Sequence, residues 1–384
     1  MKEPSFTVGI EEEYLLVDKA SRDLVTKMPA SMLEECAARC EGQQVSPELL
    51  RSQIEVGTRV CANMTEAGES LRLLRRTVID VAESHGLAPI AASTHPFAHW
   101  AEQKPTARAR YASLYQEMQT AARRLLICGM HVHVGIDDDE LRIDLMNQFS
   151  YFLPHLLALS CSSPFWEGQD TGLKSYRLTV FDAVPRTGLP ERFDSYPEYE
   201  RHVRVMVEAG LISDATMIWW DLRPSARYPT LETRIMDVCT RVDDALCLAA
   251  IAVCTLRMLY RLRGKNQRWR IYSTLLLNEN RWRAMRYSVD EGLIDLGKGH
   301  IMPFPQLMEE LLELIHPDAV ALACVKEVEH VRTILAHGTS AHRQLKVHEE
   351  ALAEGASPEE ATAAVVDQLI VETARGTQPN LATK

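Results

Sequence analysis

Residues Phe6–Val17 form a run of Val, Ile, Leu and Tyr into which three consecutive glutamates, Glu11, Glu12 and Glu13, are set. A β-strand sends successive side chains to opposite faces. Gly9, Glu11 and Glu13 therefore share one face, while Val8, Ile10, Glu12 and Tyr14 share the other. Two carboxylates side by side repel and hold their protons more tightly unless a cation sits between them. Such a pair suits Mg²⁺ or Mn²⁺, hard ions that take oxygen ligands. A solvated acidic edge strand is the alternative reading of this segment.

Three later segments supply matching chemistry. In Gln53-Ile-Glu-Val-Gly57 the same period separates Glu55 from Ile54 and Val56. In Gly129-Met-His-Val-His-Val-Gly135, His131 and His133 share a face opposite Val132 and Val134, a pattern suited to a metal or a phosphate. The spacing is not H-E-x-x-H, so zinc-protease chemistry has no support. In Thr230-Leu-Glu-Thr-Arg-Ile-Met-Asp237, Glu232 and Arg234 share a face, as a simple ion pair or as part of a site. Asp221, Arg223 and Arg227 lie just upstream, and arginines grip carboxylates and phosphates bidentately.

Charge and targeting narrow the function classes. With 42 basic and 53 acidic residues the chain carries −11, which argues against a general nucleic-acid or anionic-membrane binder. The N-terminal residues 1–5 are polar and precede the glutamates, so no signal-peptide apolar region is expected. The most apolar stretch, Ala245–Cys254, is half the roughly 20 residues a membrane helix needs and reads as a buried helix. Nine cysteines without a C-x-x-C pair point to reduced thiols and the cytoplasm. Residues 257–286 hold nine basic side chains and one acidic one, with Trp269, Tyr272 and Trp282 among them. That run suits a solvated face, a phosphate-bearing ligand or an acidic subunit interface.

The expected elements are strands at 6–17, 52–57, 87–92, 130–136, 216–222 and 230–238, with helices at 30–40, 65–86, 108–127 and 140–161. Thr65 is the expected cap of the second helix. Residues 162–196, rich in Gly and Pro, form a long loop of the kind that carries function or packs as a lid. From Arg241 to about 374 the pattern is helical, and Ser357, Pro358 and Glu360 start the last helix with a capping box. His337-Gly-Thr-Ser-Ala-His-Arg343 breaks those helices, as a hinge toward the site or as a helix break alone. No repeat or linker divides the chain, so 1–384 is read as one catalytic domain with its sheet in 6–238. Strand–helix alternation alone suggests a parallel α/β sheet.

Taken together, Gly9-Ile-Glu-Glu-Glu13, Ser93-Thr-His-Pro-Phe97, Gly129–Gly135, Trp220-Asp-Leu-Arg-Pro224 and Leu231–Asp237 resemble, in order and from about residue 6 to 343, the type 2 glutamate–cysteine ligase family. These are ATP-dependent carboxylate–amine ligases of the glutamine-synthetase-like superfamily. The resemblance implies an α+β fold with a curved, mostly antiparallel sheet and helices on its outer face, which overrides the parallel reading. It also implies that Glu11, Glu13, Glu55, His131 and Glu232 hold Mg²⁺ around the phosphates of ATP. Arg234, with Arg223 or Arg227, would stabilise the transferring phosphoryl group. His133 and Arg343 would contact the nucleotide, with glutamate as the acid, cysteine or another amine as acceptor, and a homo-oligomer as the assembly. Ser93 stands where the family often has Gly, which bears on the backbone of that loop. The alternatives are a nucleotide-independent Mn or Fe enzyme using His131, His133 and a carboxylate, and a non-catalytic ATP-binding protein. No Walker A sequence argues for a P-loop.

Overall fold

In this computed structural model, which describes residues 3–378, the strands run in chain order as β1 (Val8–Asp18), β2 (Gln44–Pro47), β3 (Gln53–Gly57), β4 (Leu87–Ile90), β5 (Met130–Gly135), β6 (Phe165–Trp166), β7 (Gln169–Asp170), β8 (Leu222–Pro224), β9 (Thr230–Thr233), β10 (Leu293–Asp295) and β11 (His300–Met302). Seven of them make one sheet in the order β2-β3-β1-β5-β9-β8, with β4 also paired to β1. Among the described residues every pairing of named strands in it is antiparallel, so the parallel reading fails and the antiparallel one stands. β1 organises the sheet because its length lets it pair with β3, β4 and β5 at once.

The alternation on β1 decides which side is core. Val8, Ile10, Glu12 and Tyr14 are buried, whereas Glu11 and Glu13 are half-buried on the other face. Glu12 survives in the core because Arg75, from the helix Met64–Ser84, grips it at 2.6 and 2.7 Å, and Tyr14 donates its hydroxyl to the same carboxylate. Arg75 also donates to the carbonyls of Cys239 and Thr240, tying β1, this helix and the chain after β9 together. Helices Met64–Ser84, Val242–Arg263 and Pro358–Ala374 pack on this side.

Several expected boundaries move. The second helix is capped by Asn63, whose side chain accepts from Glu66 N, and not by Thr65. The helix expected at 108–127 breaks at Gln119, whose φ is +49°, into Ala109–Met118 and Thr120–Arg123. The one expected at 140–161 is divided by a 3₁₀ turn at Ser150–Phe152 ahead of Pro154. Residues 216–222 do not form a strand: a 3₁₀ turn, Ala215–Met217, is followed by extended chain that reaches the sheet only at Leu222. The loop 162–196 contains the β6–β7 ribbon and a short helix, Arg177–Phe181. Unanticipated are β2 and the β10–β11 hairpin.

The helix Val242–Arg263 is long and apolar enough to cross a membrane by length and composition, but most of it is buried in the protein core. Five of the nine basic side chains in the run 257–286 are in ion pairs among the described residues. Arg257 and Arg261 pair with Asp318, Arg263 and Arg268 with Asp144, and Arg281 with Asp182 and Asp221. Lys265, Arg270, Arg283 and Arg286 stand outside those pairs. The capping box at Ser357 forms as expected.

Candidate active site

Register turns a scattered set of side chains into one row. Glu13 faces Glu55 across β1–β3, and Glu11 faces His131 across β1–β5. Glu232 lies between His133 on β5 and Arg223 on β8. All occupy the sheet face opposite the helical core, because each is an even number of residues from its neighbour in the row on the same strand.

Glu11, His133 and Glu232 are the tightest group, each offering a ligand atom within 4.8 Å of the others. His131 Nδ1 lies 3.2 Å from Glu11 Oε2, and His133 Nε2 lies 3.5 Å from Glu11 Oε1. His133 Nδ1 is 2.9 Å from Thr230 Oγ1, whereas its Nε2 is buried without a hydrogen bond. Thr230 holds the Nδ1 side of the ring, so that Nε2 turns into the cluster, the arrangement by which an outer partner orients a ligating imidazole. His133, expected to contact the nucleotide, is thus the histidine that converges with Glu11 and Glu232, and His131, expected as a ligand, lies against Glu11.

Glu232 is gripped from two sides. Arg223 reaches it with Nε at 3.0 Å and Nη2 at 3.2 Å, and Arg234 Nη1 contacts Oε1. Arg223 also donates to the carbonyls of Thr216 and Ile218, which locks it in place as a holder of Glu232. Arg234 keeps a buried Nε with no partner. Arg227 is exposed in the β8–β9 turn at the rim of a pocket. Asp221 is held by Arg281 and takes no part.

The carboxylates divide electrostatically. Burial pushes Glu13 and Glu55 up, and the charge of Glu48 adds to it, so that Glu13 stands at about 7 and Glu55 at about 8. Neither has an ion pair among the described residues; Glu13 accepts from Gly129 N and Glu55 from Ser46 Oγ. Burial also pushes Glu11 up, but its contacts with His131 and His133 outweigh that and hold it far below the usual range. The arginines do the same for Glu232. Burial and Arg234 lower His131 to about 4, whereas Glu11 and Glu232 outweigh burial at His133 and raise it. Two buried carboxylates in no ion pair at one end of the row, with Glu11, His133 and Glu232 converging at the other, are a donor set that fits divalent cations.

Glu13, His131 and Arg234 open onto a pocket of about 610 Å³. Its other walls come from the helix Ala109–Met118, the short helix Arg177–Phe181 and residues 210–219. Two residues here escaped the sequence reading. Glu48, hydrogen-bonded by Tyr111, lies between β2 and β3 with no pattern to mark it. Arg177 lies inside the long loop, whose length was the only signal.

Arg343 is the predicted residue that the fold does not bring to this row. Glu372 at 2.8 Å, Asp244 at 3.6 Å and the Gly338 carbonyl hold it on the helical side. The segment before it is a helix break closed by a Thr339–His342 capping box. The Ser93–Phe97 motif is likewise internal wiring: Ser93 Oγ accepts from Val238 N, and His95 accepts from the Phe97 and Ala98 amides.

Comparison with known proteins shows the family and the fold. The family described as glutamate–cysteine ligase family 2 matches residues 7–366. A Rhodospirillum rubrum protein provisionally named glutamate–cysteine ligase 2 is 61% identical over 376 residues, 97% of each chain. A similarly named protein of Ruegeria pomeroyi is 55% identical over 367 residues, 96% of this chain and 94% of that one. Among solved structures, glutamate–cysteine ligase of Francisella tularensis in complex with AMP superposes with a TM-score of 0.67 at 13% identity, covering 99% of this chain and 91% of that one. The bifunctional glutathione synthetase of Pasteurella multocida gives 0.68 at 15% identity, covering 96% of this chain and 52% of that one. The ligase of the prokaryotic ubiquitin-like protein Pup gives 0.55 at 13% identity, covering 98% of this chain and 77% of that one.

Proposed function

The chain belongs to glutamate–cysteine ligase family 2, and on that premise we propose that it joins glutamate to an amine at the expense of ATP, with Mg²⁺ or Mn²⁺ held by Glu11, His133 and Glu232 at one end of the row and by Glu13 and Glu55 at the other. The observation that carries this reading is the convergence of Glu11, His133 and Glu232 on the same sheet face as two buried carboxylates that are in no ion pair among the described residues.

Bound there, Mg²⁺ supplies the positive charge that lets ATP phosphates approach an acidic face and eases phosphoryl transfer. Glu11 is kept ionised by His131 and His133, so it is ready to ligate at neutral pH. Arg223 fixes Glu232. Arg234, with one N–H unclaimed, is placed to receive an anionic oxygen. A carboxylate is a poor electrophile, and phosphorylation converts it into an acyl phosphate. The amine nitrogen then attacks the acyl carbon, the C–N bond forms and the C–O bond to phosphate breaks. Phosphate leaves with the electron pair and takes up the amine proton, giving amide and inorganic phosphate.

The converging set holds one histidine and two carboxylates, not the two histidines and one carboxylate of non-haem iron sites. That favours the ligase over the nucleotide-independent alternative. Nine buried free thiols support a reducing compartment, the cytoplasm.

The test is ADP release with Mg²⁺, ATP and glutamate, with and without a panel of amines. ADP forming only with glutamate plus an amine is expected, and Glu11→Gln should abolish it. Wild-type activity in that variant, or turnover without nucleotide, would overturn the reading.

A further inference from the structure

Arg177 lines the pocket outside any ion pair among the described residues, although its charge acts on both Glu13 and Asp237. The residue is 3% exposed, and its guanidinium reaches two backbone carbonyls, Ile235 O at 3.4 Å and Arg234 O at 3.3 Å. Both contacts are longer than the roughly 2.7–3.2 Å of ordinary N–H···O bonds. Nε is buried with no partner, and among the described residues no Asp or Glu lies within ion-pair distance of Arg177. Asp237, the nearby acid, is already bound by Ser162 N, Ser163 Oγ and Ser175 Oγ. Buried polar groups left unpaired in a folded protein call for an explanation.

The backbone makes room for this arginine. A Cβ on Gly129 would stand 2.4 Å from Arg177 Nη2, so only glycine lets the guanidinium lie there. Arg234 differs in that Glu232 holds one end of its guanidinium. The wall beside Arg177 is apolar: Phe181 lies with its ring centroid 5.5 Å from the Arg177 Cζ, and Leu114, Met118, Met217 and Trp219 are half-buried around the same space.

We propose that Arg177 anchors the α-carboxylate of the amine substrate, and that this substrate is an amino acid with a large aliphatic or aromatic side chain, seated against Leu114, Met118, Phe181, Met217 and Trp219. The inference rests on the ligase reading and names its acceptor. The amino group then faces the Glu13 end of the row, where the activated acid must lie. Cysteine would leave most of the apolar wall wet, and each methylene that a hydrophobic pocket recognises changes kcat/KM by roughly tenfold or more.

The full-length protein with Mg²⁺, ATP and glutamate is assayed with leucine, phenylalanine, cysteine and isoamylamine, the last being leucine without its carboxylate. Leucine or phenylalanine should exceed cysteine by about a hundredfold in kcat/KM. Arg177→Gln should raise the KM for leucine about a hundredfold while leaving isoamylamine unchanged, a split that a merely structural role would not produce. Arg177→Lys should recover part of the loss, and Gly129→Ala should raise the same KM by displacing the guanidinium. Cysteine matching or exceeding leucine and phenylalanine would overturn the proposal, as would equal losses for leucine and isoamylamine in Arg177→Gln. If no amine yields ADP, the ligase reading itself fails. Calorimetric titration of phenylalanine then still tests the pocket: binding lost in Arg177→Gln upholds the anchor, and no binding to the wild type refutes it.

Discussion

Glu13 and Glu55 stand directly opposite each other across the β1–β3 pairing, and neither is in an ion pair among the described residues. Burial and the charge of Glu48 raise Glu13 to about 7 and Glu55 to about 8, well above the unfolded value of 4.5. The folded state therefore holds more protons than the unfolded one between those limits, so its stability falls as pH rises through them. His95, His131 and His155, lowered by burial to about 4, give the opposite slope, but only below their unfolded value of 6.5. From pH ~6.5 to ~7.5 the carboxylates dominate, with the raised His133 adding the same sign and the buried thiols adding to the decline at higher pH. Each proton released changes stability by up to about 1.4 kcal/mol per pH unit. Urea titrations in EDTA should show stability declining across that range, Glu55→Gln should flatten the decline, and Mg²⁺ should reverse it. A flat wild-type profile in EDTA would contradict the raised carboxylates.

The third glutamate of the run behaves differently. Glu12 and Arg75 are both fully buried, and their bidentate pair also holds the Cys239 and Thr240 carbonyls. Removing one partner strands the other charge. Arg75→Met should cost about 3–5 kcal/mol in denaturant unfolding, and adding Glu12→Gln should restore part of it. Equal losses in the single and double variants would mean that the carbonyl contacts, not the charge, are what Arg75 supplies.

Much of this site was legible because it lies on strands. The two-residue period of β1 separates Glu12 from Glu11 and Glu13, and the same arithmetic pairs His131 with His133 and Glu232 with Arg234. Which histidine converges with Glu11 and Glu232 was not legible, because that depends on cross-strand partners: Thr230 turns His133 inward and Glu11 engages His131. Glu48 and Arg177 were missed since neither sits in a periodic segment. The break at Gln119 has no Pro or Gly to announce it, and the apolar run 216–222 reads as a strand although it packs through Trp219 over Arg186. The family resemblance, not the element pattern, carried the antiparallel topology.

The nine cysteines are all buried and free, and burial raises the thiols of Cys128, Cys161, Cys239 and Cys247 well above their ordinary value. The thiolate is the reactive form, so such groups are inert until the fold opens. Native protein should react with Ellman's reagent at well under one thiol per chain in minutes, and denatured protein at nine. Rapid labelling of one native thiol would reveal an opening of the core that the packing does not show.

Arg343 and Arg234 invite opposite outcomes from one substitution. Arg343 joins Glu372 and Asp244, which in turn hold Arg241 and His330, and it lies on the helical side of the sheet. Lysine there loses the fork that spans two carboxylates and a carbonyl. Arg343→Lys should therefore lower stability by about 1–3 kcal/mol while ADP formation per folded molecule stays nearly unchanged. Arg234 lies beside Glu232 and His131 with an unclaimed N–H toward the pocket. Arg234→Lys should stay folded and lose about a hundredfold or more in kcat, the scale of removing one donor aimed at developing charge. Measuring melting temperature and ADP release on both variants separates the roles. If Arg343→Lys lost activity without losing stability, Arg343 would return to the nucleotide site that the sequence motif suggested for it.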